Sequence, residues 1–169
     1  MPAGSFEPVD GPGKLECTVE GERLISSARR QSSPPYITTP GVTGWLLDRA
    51  QGNWDIRAQD GKNGDYLYLN LRRITGPGTY GFTSEDVLRD DTTRAGATVL
   101  LVRNRDDSGF ESDSLRTGTL VITRLDTSLH VIQGTFYCDL IGGPPAGNGA
   151  PPRPRHTIQV RDGWFYVKY

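Results

Sequence analysis

Apolar and polar residues alternate with a period of two in one short run after another, the pattern of strands with one face buried. From Lys14 to Glu20, Leu15, Cys17 and Val19 fall on one face and Glu16, Thr18 and Glu20 on the other, and Gly21-Glu22 turns the chain toward a partner run at Leu24 to Ala28. Thr43 to Asp48 and Asn53 to Gln59 flank Ala50, Gln51 and Gly52 as a hairpin, in which Trp54, Ile56 and Ala58 alternate with Asp55, Arg57 and Gln59. After a dense turn signal from Asp60 to Asp65, the run Tyr66 to Ile74 puts Leu67, Leu69 and Leu71 on one face and Tyr66, Tyr68 and Asn70 on the other.

The later runs follow the same grammar. Ala97 to Val102 is apolar on both faces, which predicts a central strand covered on each side or lying beside a lid. Thr117 to Leu125 and His130 to Leu140 are strands joined through Asp126 to Leu129, with Ile132, Phe136, Cys138 and Leu140 facing one way and Val131, Gln133, Thr135, Tyr137 and Asp139 the other. His156, Ile158 and Val160 alternate with Thr157, Gln159 and Arg161, and Asp162-Gly163 reads as a two-residue hairpin turn into a last strand from Trp164 to Tyr169. The one helix start is at Ser84, as N-cap, with Glu85 and Asp86 in a first turn where acidic groups suit the helix dipole. The expectation is an all-β fold: a single antiparallel β-sandwich or barrel-like domain of about ten strands, with at most one short helix.

Composition adds boundaries. A chain of 169 residues can bury roughly 70% of its unfolded surface, so a real core is available. The 21 glycines and 12 prolines favour many reversals over long helices. Residues 1–13 are rich in Pro and Gly and read as a flexible leader or tether before a single β domain at 14–169; residues 29–42 read as a Pro-rich surface loop. A net charge of −1 gives no global field to draw nucleic acid or an anionic membrane. No run approaches the ~18 apolar residues of a membrane span, and the N-terminus lacks a secretory signal, so the chain is either cytosolic or the product of signal removal.

Chemistry-bearing motifs are few. Gly76 to Gly81 has Gly-x-Gly-x-x-Gly spacing, but extended residues follow it where a dinucleotide loop needs a helix N-terminus, so a connecting turn is preferred. Asp106, Asp107, Glu111 and Asp113 could hold calcium but lack EF-hand order, and a solvated reversal is preferred. His130 and His156 have no further ligands at recognisable spacing, so they read as strand-end residues, and no metal or cofactor is expected. Among Trp45, Trp54 and Trp164, the last stands with Tyr166 on the face opposite Phe165 and Val167. Trp164 and Tyr166 are therefore the candidates for a surface aromatic contact. The basic stretch from Pro151 to His156 reads as a loop. Cys17 and Cys138 both fall on inward faces; they are either a disulfide, closing a loop of about 120 residues worth ~4–5 kcal/mol in the chain-entropy model, or a pair of inert buried thiols.

Gly118 to Asp126, Ile132 to Phe136 and Ile158 to Val167, together with Cys17 to Gly21 and Gly76 to Tyr80, resemble a family of uncharacterised Bacteroidota cell-envelope lipoproteins, a domain of unknown function. The resemblance is strongest from 118 to 167. Glu20-Gly21 stands where Asn-Gly is common in that family, and the Pro-rich stretch 142–154 is an insertion. The resemblance implies a β-rich, lipid-anchored domain behind a cleaved signal, in the periplasm or at the outer membrane, with the membrane engaged only through an anchor that this chain does not carry. It transfers no functional residue. The expected function is non-enzymatic binding of a protein or glycan partner through loops or a sheet face. The alternative is a hydrolase built from dispersed carboxylates such as Asp55, Asp65 and Asp139.

Overall fold

In the first hairpin, β1 (Gly13–Val19) buries Leu15, Cys17 and Val19, and β2 (Glu22–Ser27) pairs back on it through Glu20 and Gly21. Both turn residues have left-handed φ values, 49° and 85°, as a two-residue loop between twisted strands requires. The computed structural model describes residues 13–27, 42–48, 51–60, 62–104, 108–116, 118–143 and 155–168. Apart from Gly13, which opens β1, the expected leader lies outside them, as do most of the 29–42 loop and of the Pro-rich insertion.

The remaining elements are β3 (Val42–Asp48), β4 (Asn53–Gln59), β5 (Tyr66–Arg72), β6 (Gly78–Gly81), α1 (Glu85–Asp90), β7 (Gly96–Arg103), β8 (Ser108–Glu111), β9 (Gly118–Asp126), β10 (Val131–Gly143) and β11 (His156–Lys168). The eleven strands among the described residues belong to one sheet, nine of them in the order β2-β1-β11-β10-β8-β7-β5-β4-β3 with β9 and β6 on a branch, and every named pairing is antiparallel. β10 divides the sheet. One of its edges carries β11 along its length; the other carries β9 from Val131 to Cys138 and β8 from Ile141 to Gly143, and β6 extends the β9 branch.

The sheet curls so that its far strands meet. Gln59 N donates to Ser26 Oγ at 3.2 Å and Ile25 N to Asp60 Oδ1 at 3.3 Å, which ties β2 to the end of β4. The result is a barrel-like half-cylinder, and between sandwich and barrel the continuous sheet decides for the latter. Alternation locates its core: Leu15, Ile56, Leu69, Leu101, Ile132 and Phe165 are all buried. Trp54 is buried too and donates from its indole nitrogen to Ile74 O.

Two expectations need correction. Asp162-Gly163 is not a hairpin turn, because β11 runs unbroken from His156 to Lys168. Phe136 pairs with Gly163 and Cys138 with Val160, so Arg161 and Asp162 together oppose Tyr137 as a β-bulge, with Asp162 at φ 50°. The bulge changes which residues face inward, from Ile158 and Val160 before it to Gly163, Phe165 and Val167 after it. The second concerns β7, which is covered on both faces only at its start: Thr98 is buried beside Glu85 of α1, but Leu100 is 38% exposed. α1 itself starts after Ser84 as expected and buries Leu88, although the Ser84 hydroxyl makes no capping bond.

Candidate functional site

The outward residues of β4, β5 and β7 form three rows across the sheet, set by register. Asp55, Asn70 and Thr98 make one row, Arg57, Tyr68 and Leu100 the next, and Gln59, Tyr66 and Val102 the third. The first row is closed by its own polar contacts. Asn70 Nδ2 donates to Thr98 Oγ1 and Thr98 Oγ1 to Glu85 Oε2, each at 3.2 Å, while Arg72 Nη1 bonds Asp55 Oδ1 at 3.0 Å.

The other two rows are built differently. Tyr66 and Tyr68, two residues apart on β5, stack with centroids 6.3 Å apart. The exposed Arg57 guanidinium lies 4.7 Å from one ring centroid and 5.3 Å from the other. Each such contact is worth about 0.5–1 kcal/mol at an exposed site and favours this placement of the planar fork. Gln59 Nε2 fixes the Tyr66 hydroxyl at 2.8 Å. Among the described residues Arg57 has no carboxylate partner, and Leu100 and Val102 continue the face as an apolar margin. Tyr, Arg and an apolar margin on the outer face of a sheet are the materials of recognition surfaces.

Trp164 and Tyr166 do face outward, as alternation predicts, and both are half-buried. They stand between Glu16 and Lys14 of β1 and Thr135 and Gln133 of β10. Two cations share one carboxylate there: Lys14 Nζ lies 3.3 Å from Glu16 and 5.2 Å from the Trp164 ring centroid, and Arg23 also binds Glu16. Nearby Tyr137 is 47% exposed and its hydroxyl accepts from Thr119 Oγ1 at 3.1 Å. The side chain of Trp45 lies outside the described residues.

At the end of the sheet, Val19, Arg23, Leu24, Asp60, Asp65 and Arg103 line a cavity of about 10 Å³, the space of a single water. Its polar groups are engaged structurally. Asp60 accepts from the amides of Ile25, Lys62 and Asn63, Asp65 Oδ1 accepts from Asn104 N, and the buried Arg103 bonds Glu20 at 3.1 Å.

The three carboxylates of the hydrolase reading are not brought together. Asp55 is held by Arg72, Asp139 by Arg161 at 2.5 Å, and only Asp65 reaches the small cavity. In the acidic loop, Asp106 and Asp107 lie outside the described residues, Glu111 pairs with Arg155 at 2.9 Å, and Asp113 binds Arg116. His130 sits in a turn at φ 56° and His156 packs edge-on against Phe110. Among the described residues, no group of three or more His, Cys, Asp or Glu could hold a metal, and no helix is long and apolar enough to cross a membrane.

Cys17 and Cys138 are free, buried thiols, on β1 and β10 with β11 running between them. Two strand spacings place their backbones roughly 9–10 Å apart, beyond the 4.4–6.8 Å that a disulfide spans. Burial, with the nearby Glu16 and Asp60 charges, pushes the Cys17 thiol up to about 12, and burial raises Cys138 in the same direction. Neither is a nucleophile at neutral pH.

The Arg57 cluster escaped the sequence reading because it joins β4 to β5. Its only local signal is the outward Tyr66 and Tyr68 at a spacing of two. No known protein family, no curated protein and no solved structure matches this chain.

Proposed function

We propose that this chain is a non-enzymatic recognition domain, which holds a protein or glycan partner on the outer face of β4, β5 and β7. The observation that carries this reading is the exposed Arg57 guanidinium held over Tyr66 and Tyr68 and bordered by Leu100. A cation arranged in this way has given up little of its hydration and has lost much of its freedom before any partner arrives, so binding orders little that is not already ordered. No reacting constellation competes with it among the described residues, since Asp55 and Asp139 are bound to separate arginines.

The setting proposed with it is the cell envelope, as the resemblance to envelope lipoproteins implies. Release of the chain from the membrane fraction by detergent but not by salt is the expected behaviour in cells that produce it; a cytosolic location removes that setting. The binding reading is tested by screening the wild type and Tyr68→Ala against a displayed peptide library and a glycan array. Ligands retained by the wild type and lost by a folded Tyr68→Ala are expected. Ligands retained equally by both contradict it.

A further inference from the structure

The identity of the partner can be narrowed from the composition of this face, on the footing of the recognition-domain reading. We infer that the β4–β5–β7 face takes an acidic, partly apolar peptide segment of another protein, with a side-chain carboxylate on Arg57 and an apolar side chain beside Leu100.

Charge complementarity selects the carboxylate. Of the charged groups around the cluster, Asp55 lies two residues before Arg57 on the same face but is taken by Arg72, which also stands 3.8 Å from Glu85. Glu111, opposite Leu100 on β8, is neutralised by Arg155. Within this cluster Arg57 thus keeps a charge that no carboxylate among the described residues meets, and its fork presents paired donors to a planar, doubly accepting group. Beside Trp164 and Tyr166, by contrast, Lys14 and Arg23 both already hold a carboxylate, the shared Glu16.

The apolar margin selects a peptide over a polysaccharide. Along the row Arg57, Tyr68, Leu100, cation gives way to aromatic and then to aliphatic surface within two strand spacings, about 10 Å. An extended peptide crossing the strands can set a carboxylate and an apolar side chain at that separation. A sugar would need the ring faces for stacking, and Arg57 already covers them at 4.7 and 5.3 Å.

The probe is a fluorescein-labelled peptide repeating Glu-Ser-Leu-Ser, which sets Glu and Leu two residues apart on one face of an extended chain, read by fluorescence polarisation beside its counterpart with Gln for Glu. The expected result is that the Glu peptide binds at least about tenfold more tightly than the Gln peptide, and that Arg57→Gln, folded by circular dichroism and thermal melt, abolishes the difference. Arg57→Lys recovers only part of it, because an ammonium lacks the planar fork. Equal binding of both peptides, unchanged discrimination in Arg57→Gln, or no binding by the wild type overturns the inference. An oligogalacturonate probe separates this failure from that of the wider reading. If the wild type binds only the oligogalacturonate and Tyr68→Ala loses it, the acidic peptide is wrong and the recognition domain stands. If no probe, displayed peptide or arrayed glycan binds, both fall.

Discussion

Phe136 lies over Gly163 of the adjoining strand so closely that a Cβ on that glycine would stand 2.6 Å from Phe136 Cε1. The arrangement is reciprocal, since Phe165 covers Gly134, where a Cβ would stand 3.0 Å from Phe165 Cζ and 2.5 Å from Val121 O. Glycine at these two inward positions is what lets both rings fill the centre of the β10–β11 pair. Gly163→Ala is therefore expected to cost about 1–3 kcal/mol by overpacking, and to lower the melting midpoint by roughly 2–4 °C per kcal/mol for a chain of this size. An unchanged midpoint would contradict the packing described.

Ser112 acts as a substitute for strand pairing where β8 ends. Its hydroxyl accepts from Val99 N at 2.9 Å and donates to Thr83 O at 2.7 Å, while its own amide donates to Val99 O. Ser112→Ala strips a buried amide of its acceptor, at a cost of about 1–3 kcal/mol. Faster hydrogen exchange at Val99 is the local readout; unaltered exchange and stability would show that the hydroxyl is dispensable.

Asp126 closes the β9–β10 turn. The Leu129 amide, the Arg124 guanidinium and the Ser128 amide all bond its carboxylate and hold its pKa below the ordinary 3.8. A lowered folded-state value means that the carboxylate's contribution is complete above the unfolded value and is lost as pH falls through the folded one. The stability difference between wild type and Asp126→Asn should thus be largest near neutrality and shrink below about pH 4. A difference constant across that window would exclude a charge effect.

The thiols make a prediction of opposite sign. Cys17 is raised from 9.0 to about 12, so the stability that depends on its neutral form is intact below 9.0 and declines as pH rises toward 12. Native protein at neutral pH should resist iodoacetamide, and protein unfolded without reductant should take up two labels by intact mass. No labelling of the unfolded chain would mean that Cys17 and Cys138 are bonded.

The strands were legible in the sequence because alternation is local. Leu15, Cys17, Trp54, Ile56, Leu67, Phe136 and Leu140 are buried where a period of two puts them. Asp162-Gly163 misleads for a physical reason. A residue in left-handed conformation beside glycine serves a turn and a bulge equally, and only the continuation of β1 and β10 on both sides distinguishes them. The site was legible in pieces. Arg57, Tyr66 and Tyr68 could each be assigned to an outward face, but their meeting depends on the register of β4 against β5, and Leu100 joins them only through β7. The same holds at Trp164, whose outward direction is local while its charged neighbours come from the opposite end of the chain.

Chemical-shift mapping on isotope-labelled protein titrated with the Leu and Glu peptide distinguishes the two aromatic faces without any substitution. If the peptide seats on the β4–β5–β7 face, perturbations cluster at Arg57, Tyr66, Tyr68, Leu100 and Val102, with Tyr137, Trp164 and Tyr166 unmoved. Perturbations centred on Trp164 and Tyr166, or none on either face, would contradict it.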